Sequence, residues 1–185
     1  MNSLFISERI DYTGEQLRSH YIYEQCGIRG DAIVAFCGSC DVKREAMVDI
    51  EDLIAQNKIY SEDMLHFLVE HFDADLERII LRQMLLAAVV HDTLMRLGCS
   101  SAVARAGSDL YDNDAKLSVS IATKSPVSSL IHFGINISSK NTPVVTRGLN
   151  DYGIDPHQLA LDTMEQYTRD NDAVGRARGK VRWVP

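Results

Sequence analysis

The sequence predicts an α+β domain, a mixed and largely antiparallel β-sheet with helices packed on one face. Three observations carry this expectation. Apolar and polar residues alternate strictly through 116–123 and again through 130–137, on either side of Ser125-Pro126, as two half-buried strands joined by a turn would. Apolar residues recur at helical spacing over 75–97, the longest such run in the chain. Strands and helices do not follow one another in the regular order that builds a parallel sheet. The 185 residues contain no linker-like stretch and no internal repeat, so 1–185 is expected to be one domain, long enough to bury a substantial core.

Taken in order, Ser3 to Ser7 reads as a first strand. Thr13-Gly-Glu-Gln16 has capping-box spacing and predicts a helix running to about Gln25 and stopped by Gly27, with Leu17 and Tyr21 turned inward. The apolar, β-branched run from Ala32 to Phe36 predicts a buried strand. It delivers Cys37-Gly38-Ser39-Cys40-Asp41 to an edge of the sheet, where loops carry function, and Asp41 joins the candidate binding residues there. Asp49, Glu51 and Asp52 could bind a cation, but read rather as dipole partners of a helix start or as wet carboxylates. Met64 to Phe72 reads as a strand with His66, Leu68 and Glu70 on one face and Phe67, Val69 and His71 on the other.

Asp75 to Leu97 predicts the longest helix, capped by Asp73, ended by Gly98 and packed centrally on the sheet, with His91 structural. Thr142-Pro143 opens a connection. Asp155-Pro156-His-Gln158 combines an N-cap, a proline at the first helical position and a capping partner, which predicts a helix from Pro156 to about Arg169. The basic tail from Arg176 to Pro185 reads as a closing edge strand, with an anion clamp as the functional alternative.

The central stretch is the candidate site. Residues of a strand point alternately to opposite faces, so Lys116, Ser118 and Ser120 are expected on one face and Leu117, Val119 and Ile121 on the other. The next strand repeats the split, with His132, Gly134 and Asn136 opposite Ile131, Phe133, Ile135 and Ile137. Antiparallel pairing would gather a lysine, two hydroxyls, an imidazole and an amide above a bare glycine, away from the helices. Solvent is the other reading of such a face. A glycine inside a strand marks close approach of a ligand or of another backbone, and an asparagine between isoleucines needs a partner for its amide.

A net charge of −7 speaks against a general nucleic-acid binder. The N-terminus has no basic region followed by an apolar core, and no apolar run is long enough to span a bilayer, so a soluble cytoplasmic protein without membrane partners is expected. Of the four cysteines, Cys37 and Cys40 have redox or half-zinc-site spacing, but no second Cys-x-x-Cys pair completes a site; buried thiols at a strand end are the simpler reading. His66-x-x-x-Glu70-His71 lacks the spacing of a zinc helix, and no metal is expected.

The motifs Gly107-Ser108-Asp109-Leu-Tyr111, Lys116-Leu-Ser118-Val-Ser120 and His132-Phe-Gly134-Ile-Asn136-Ile, preceded by a long helix, resemble the catalytic fold of the biotin and lipoate protein ligases. With Met64-Leu-His66-Phe and Ser125-Pro126-Val-Ser-Ser-Leu-Ile-His132, the whole chain more specifically resembles the family named domain of unknown function 366. The ligase resemblance implies that Lys116 bridges an acyl carboxylate and a nucleotide phosphate, that Asp109 orients it as the second catalytic residue, and that Asn136 lies near a base. Arg105, Ser118, Ser120, His132 and Gly134 complete the binding set. The chain departs from the ligases where they carry a Gly- and Arg-rich segment: residues 38–44 offer few glycines to expose phosphate-binding amides, which argues against ATP and leaves the cofactor open.

The expectation is therefore a small-molecule site on a ligase-like domain, for acyl or nucleotidyl transfer on a small carboxylate, with a non-catalytic binding or regulatory module as the alternative. A Cys37 or Cys40 nucleophile and a pure scaffold are further readings. A homodimer is carried as an expectation.

Overall fold

The computed structural model describes residues 1–184. In chain order its elements are β1 (Asn2–Phe5), α1 (Tyr21–Cys26), β2 (Ala32–Asp41), α2 (Ile50–Ala55), β3 (Tyr60–His71), α3 (Leu76–Arg96), β4 (Val103–Ala106), β5 (Asp109–Asp112), β6 (Ala115–Lys116), β7 (Ser118–Lys124), β8 (Ser129–Asn136) and α4 (Pro156–Lys180). The main sheet has the order β1-β2-β3-β8-β7. Only β1 and β2 are parallel in it; the other three pairs are antiparallel. A second, three-stranded sheet, β4-β5-β6, is antiparallel throughout.

The alternation read along β3 and β8 holds. Phe67, Val69, Ile131, Phe133 and Ile135 form one core with Ile79, Leu86, Val90 and Leu94 of α3 and with Leu159, Met164 and Tyr167 of α4. The opposite face is not bare. Ala32, Val34, Phe36, Met64 and Leu68 form a second core with Tyr12 and Ile22, and Leu17 and Tyr21 pack on it. β2 is therefore apolar on both faces, which is why its sequence is a continuous apolar run and not an alternating one.

The cover over this second face replaces the helix expected from Thr13 to Gln25. Only Tyr21–Cys26 is helical. The Thr13 amide donates to the side chain of Gln16 at 3.0 Å, so the capping-box residues close a local turn. His20 then adopts a left-handed conformation (φ 66°), which interrupts any helix at the start of α1. Gly27 (φ 69°) ends α1 as expected. The His20 amide is held by the buried Glu70 carboxylate at 2.9 and 3.1 Å, and that carboxylate also accepts from the Ser128 hydroxyl at 2.7 Å. Replacing Glu70 with alanine is expected to cost about 2–3 kcal/mol, because it strips a charged acceptor from two donors. Urea unfolding measures this, and a loss below about 0.5 kcal/mol would show that the cover does not depend on Glu70.

Three further boundaries differ from expectation. α3 is capped by Asp75, whose side chain accepts from the Arg78 amide, while Asp73 pairs with Arg82 at 2.7 Å and accepts from Ser129. α4 begins as read, with the Asp155 side chain on the His157 and Gln158 amides, but it continues past Arg169 to Lys180. The basic tail is thus not an edge strand: residues 176–180 extend the helix and 181–184 are exposed without strand pairing. Alanine, arginine and lysine in that stretch favour helix, and it has no β-branched run.

Candidate functional site

His132, Gly134 and Asn136 lie on the sheet face away from α3 and α4, as the alternation of β8 requires. Ser118 and Ser120 do not join them. The register sets Ser118 beside Ile135, Val119 beside Gly134, Ser120 beside Phe133 and Ile121 beside His132. The Ser120 hydroxyl accepts from the Gln83 amide of α3 at 2.9 Å, and the Ser118 hydroxyl accepts from the Leu110 backbone at 2.8 Å. Val119 and Ile121 share the face of Gly134 and His132 instead, although Ser120 also borders the first lobe and Ser118 the second.

The cause is the crossing between the two sheets. Lys116 ends β6 and Ser118 starts β7. Between them Leu117 donates to the Leu110 carbonyl (2.8 Å), accepts from the Asn136 amide (2.9 Å) and is buried in the helix-side core. A one-residue slip inverts every later side chain, so Lys116 ends on the same side as Val119 and Ile121. The Lys116 backbone is fixed by two further bonds, to the Val145 carbonyl at 3.0 Å and from the Arg147 amide at 3.2 Å.

The second-face cover stops short of β7 and leaves a cleft with two lobes. The first, about 270 Å³, is lined by Tyr12, Met47, Asp109, Lys116, Ile121 and His132 among others. The second, about 350 Å³, is lined by Cys40, Tyr60, Met64, Lys116, Asn136 and Thr146 among others. Asp52, Ile59, Lys116 and Val119 border both, so the lobes meet at the lysine.

Lys116 Nζ lies 2.8 Å from Asp109 Oδ2. Burial works against the ammonium, but the bond to Asp109 and the charges of Asp109, Tyr111 and Asp52 together outweigh it and hold the lysine above its usual range. Burial raises the Asp109 carboxyl, with Lys116 opposing. Its second oxygen, Oδ1, is sealed from solvent with no partner. An orphaned carboxylate oxygen works against stability, and such costs concentrate at functional sites.

Behind the first lobe lies an aromatic stack. The rings of Tyr12 and His132 are parallel within 10° at 3.7 Å, and His66 stacks on Phe36 at 5.0 Å. His66 Nδ1 and His132 Nε2 are 3.0 Å apart, and His66 Nε2 faces the Gly38 carbonyl at 3.4 Å. Burial lowers both imidazoles, His66 to about 4 and His132 well below its ordinary value, so both are neutral at pH 7.

The remaining expected residues take other positions. Asn136 spends its amide hydrogens on the carbonyls of Lys116 (3.4 Å) and Arg147 (3.3 Å), which ties the lysine to the 142–148 segment. The space above Gly134 is filled by Met64, whose methyl would lie 2.8 Å from an added Cβ. Arg105 is exposed on β4, bonds the Gly107 carbonyl and borders neither lobe. Asp41 pairs with Lys43 and borders a separate shallow groove, because β2 continues through it and no loop forms there.

Cys37 packs toward the helix-side core and Cys40 into the opposite one, so the Cys-x-x-Cys pair faces two ways. Burial raises both thiols, Cys40 to about 12, which leaves neither primed as a nucleophile. His66 and His71 likewise serve separate networks, the latter with Asp31 (3.0 Å) and the Tyr167 hydroxyl (3.2 Å). Sequence reasoning missed Tyr12, Met47, Ile59 and Asp52 as cleft residues. Asp52 had a signal: Asp49 alone caps α2, accepting from the amides of Glu51 and Asp52, which left a carboxylate of that acidic run unexplained. Tyr12 had none.

The model of the family described as a domain of unknown function (DUF366) matches residues 1–182. The chain belongs to this family. An uncharacterised protein of Methanocaldococcus jannaschii is 37% identical over 183 residues, 95% of this chain and 82% of its own length. A solved structure, a protein of unknown function from Pyrococcus horikoshi, superposes with a TM-score of 0.93 at 40% identity, covering 99% of this chain and 98% of that one. The fold is that of the biotin and lipoate ligase catalytic domains. A biotin protein ligase from Aquifex aeolicus in complex with biotin and ATP superposes with a TM-score of 0.59 at 13% identity, covering 89% of this chain and 68% of the ligase. The LipL1 protein of P. falciparum in complex with lipoate gives 0.54 at 13% identity, covering 90% and 62%. Among the described residues no helix is long and apolar enough to cross a membrane.

Proposed function

We propose that the cleft binds a small carboxylate-bearing molecule and serves acyl or nucleotidyl transfer, with Lys116 as the charge-stabilising residue and Asp109 as its orienting partner. The observation that carries this reading is the Lys116–Asp109 pair at the junction of two lobes, with one Asp109 oxygen left orphaned. An ammonium fixed by a carboxylate and by a clamped backbone needs no reorganisation when negative charge builds on an acyl or phosphoryl oxygen. The biotin- and lipoate-bound structures of the same fold supply the substrate class to try first.

One observation favours the second reading, a non-catalytic binding or regulatory module. Gly38 and Ser39 lie inside β2 and not on a loop, so they do not form a glycine-rich loop that turns amides toward phosphates. Isothermal titration with biotin, lipoate and adenine nucleotides separates the two: binding of an acid and a nucleotide with turnover supports transfer, and binding of an acid alone supports the module. Lys116→Ala is expected to weaken carboxylate binding about 10- to 100-fold, the worth of one charge-assisted hydrogen bond. Unchanged affinity in that variant overturns both readings. The single-domain organisation over 1–185, a cytoplasmic location and a homodimer belong to the same proposal; light scattering of the purified chain tests the last.

A further inference from the structure

The hydrogen-bond chain behind the first lobe fixes where its protons sit. The Gly38 carbonyl can only accept, so His66 Nε2 carries the hydrogen of that neutral ring and Nδ1 is bare. A bare nitrogen 3.0 Å from His132 Nε2 requires that His132 Nε2 carry a hydrogen and donate it. His132 Nδ1 is then a bare lone pair. Among the described residues no hydrogen bond reaches it. Nor is it one of the side-chain atoms both sealed and unpartnered there, which are Asp109 Oδ1, Thr163 Oγ1 and Thr168 Oγ1. His132 borders the first lobe, and stacking on Tyr12 at 3.7 Å fixes the plane of its ring.

We infer that His132 Nδ1 is a preset hydrogen-bond acceptor of the first lobe and that it selects carboxylic acids carrying an N–H or O–H donor remote from the carboxylate. This rests on the carboxylate reading above. Leu17, Val42, Ile59, Val119 and Ile121 supply the apolar part of a wall that is otherwise polar. A ligand that displaces water from the lobe without offering a donor leaves the lone pair unpaired, and a site built around a hydrogen bond rejects such analogues. His66 acts through His132: it holds the tautomer and touches no ligand.

Two measurements test this. Nitrogen-15 NMR of histidine-labelled wild-type protein is expected to show hydrogen on Nε2 and a bare Nδ1 for both His66 and His132. Hydrogen on His132 Nδ1 overturns the inference, and this readout needs neither ligand nor variant. Titration then compares biotin, whose ring carries two N–H donors, with lipoate, whose pentanoate chain matches that of biotin but whose dithiolane carries none. Wild type is expected to prefer biotin by about tenfold, the worth of one neutral hydrogen bond, and His132→Phe is expected to lose that preference. Equal binding in wild type, or a preference that survives in His132→Phe, overturns the selection and leaves the carboxylate reading standing. If neither acid binds, both fall.

Discussion

Gly38→Ala is expected to destabilise the protein by about 4 kcal/mol, above the roughly 1–3 kcal/mol usual for forcing atoms into a packed site. A Cβ at this position would lie 1.9 Å from the Ile10 carbonyl oxygen and 2.6 Å from its carbon. Neither atom belongs to a side chain that can rotate away. The segment that carries them is strapped to β2: Ile6 donates to the Ala35 carbonyl (2.8 Å), Ile10 to Cys37 (3.0 Å) and Tyr12 to Ser39 (2.8 Å). Relief of the clash must break part of this ladder and move Tyr12, the ring on which His132 stacks. Gly134→Ala is the control. There the nearest atom is the flexible end of Met64 at 2.8 Å, and a cost of about 1 kcal/mol is expected. Urea unfolding of both variants measures the contrast; equal costs would show that the strap over β2 yields as easily as a methionine.

The second large effect is acid lability set by the histidine pair. An unfolded imidazole takes its proton near pH 6.5, whereas the buried His66 does so only near 4. Between those values the unfolded chain binds more protons, so stability falls as pH falls. The contribution is whole above pH 6.5 and lost by the time pH passes below 4. For His66 alone it amounts to about 3 kcal/mol, of which about 2 kcal/mol is gone at pH 5. His132 shifts in the same direction and adds to the loss. Wild type is therefore expected to lose at least about 2 kcal/mol more between pH 7 and pH 5 than a His66→Phe, His132→Phe double variant. Denaturant unfolding at the two pH values measures the difference. The same slope in both proteins would show that the acid response between pH 7 and pH 5 comes from other groups.

The placement of most elements was legible because the signals are local. Alternation in β3 and β8, the run of α3 and the Asp155-Pro156 start of α4 each arise from contacts within a few residues or from one continuous face. Lys116 and Asp109 were linked in the sequence only through the ligase resemblance; the β5–β6 hairpin, in which Tyr111 pairs with Lys116, is what sets them side by side. Two glycines show where such reading runs out. Gly134 was read as a gap for a ligand, and Met64 fills it; Gly38 was read as part of a cysteine motif, and it is the place where another stretch of backbone comes close. A missing Cβ announces a close neighbour without saying which one.

By itself the sequence determined most of the periods: the strands and helices outside 13–25 and the basic tail, which residues of β8 share a face, and that a lysine, an aspartate and an imidazole come from one stretch of chain. Only the tertiary structure decided that Ser118 and Ser120 turn toward the helices and that Val119, Ile121 and the distant Tyr12 stand beside Lys116 and His132. The physical reason lies at Leu117. A period is set by each residue and its near neighbours, but the slip that resets it depends on bonds to Leu110 and Asn136 and on burial among helices, all supplied by the rest of the fold.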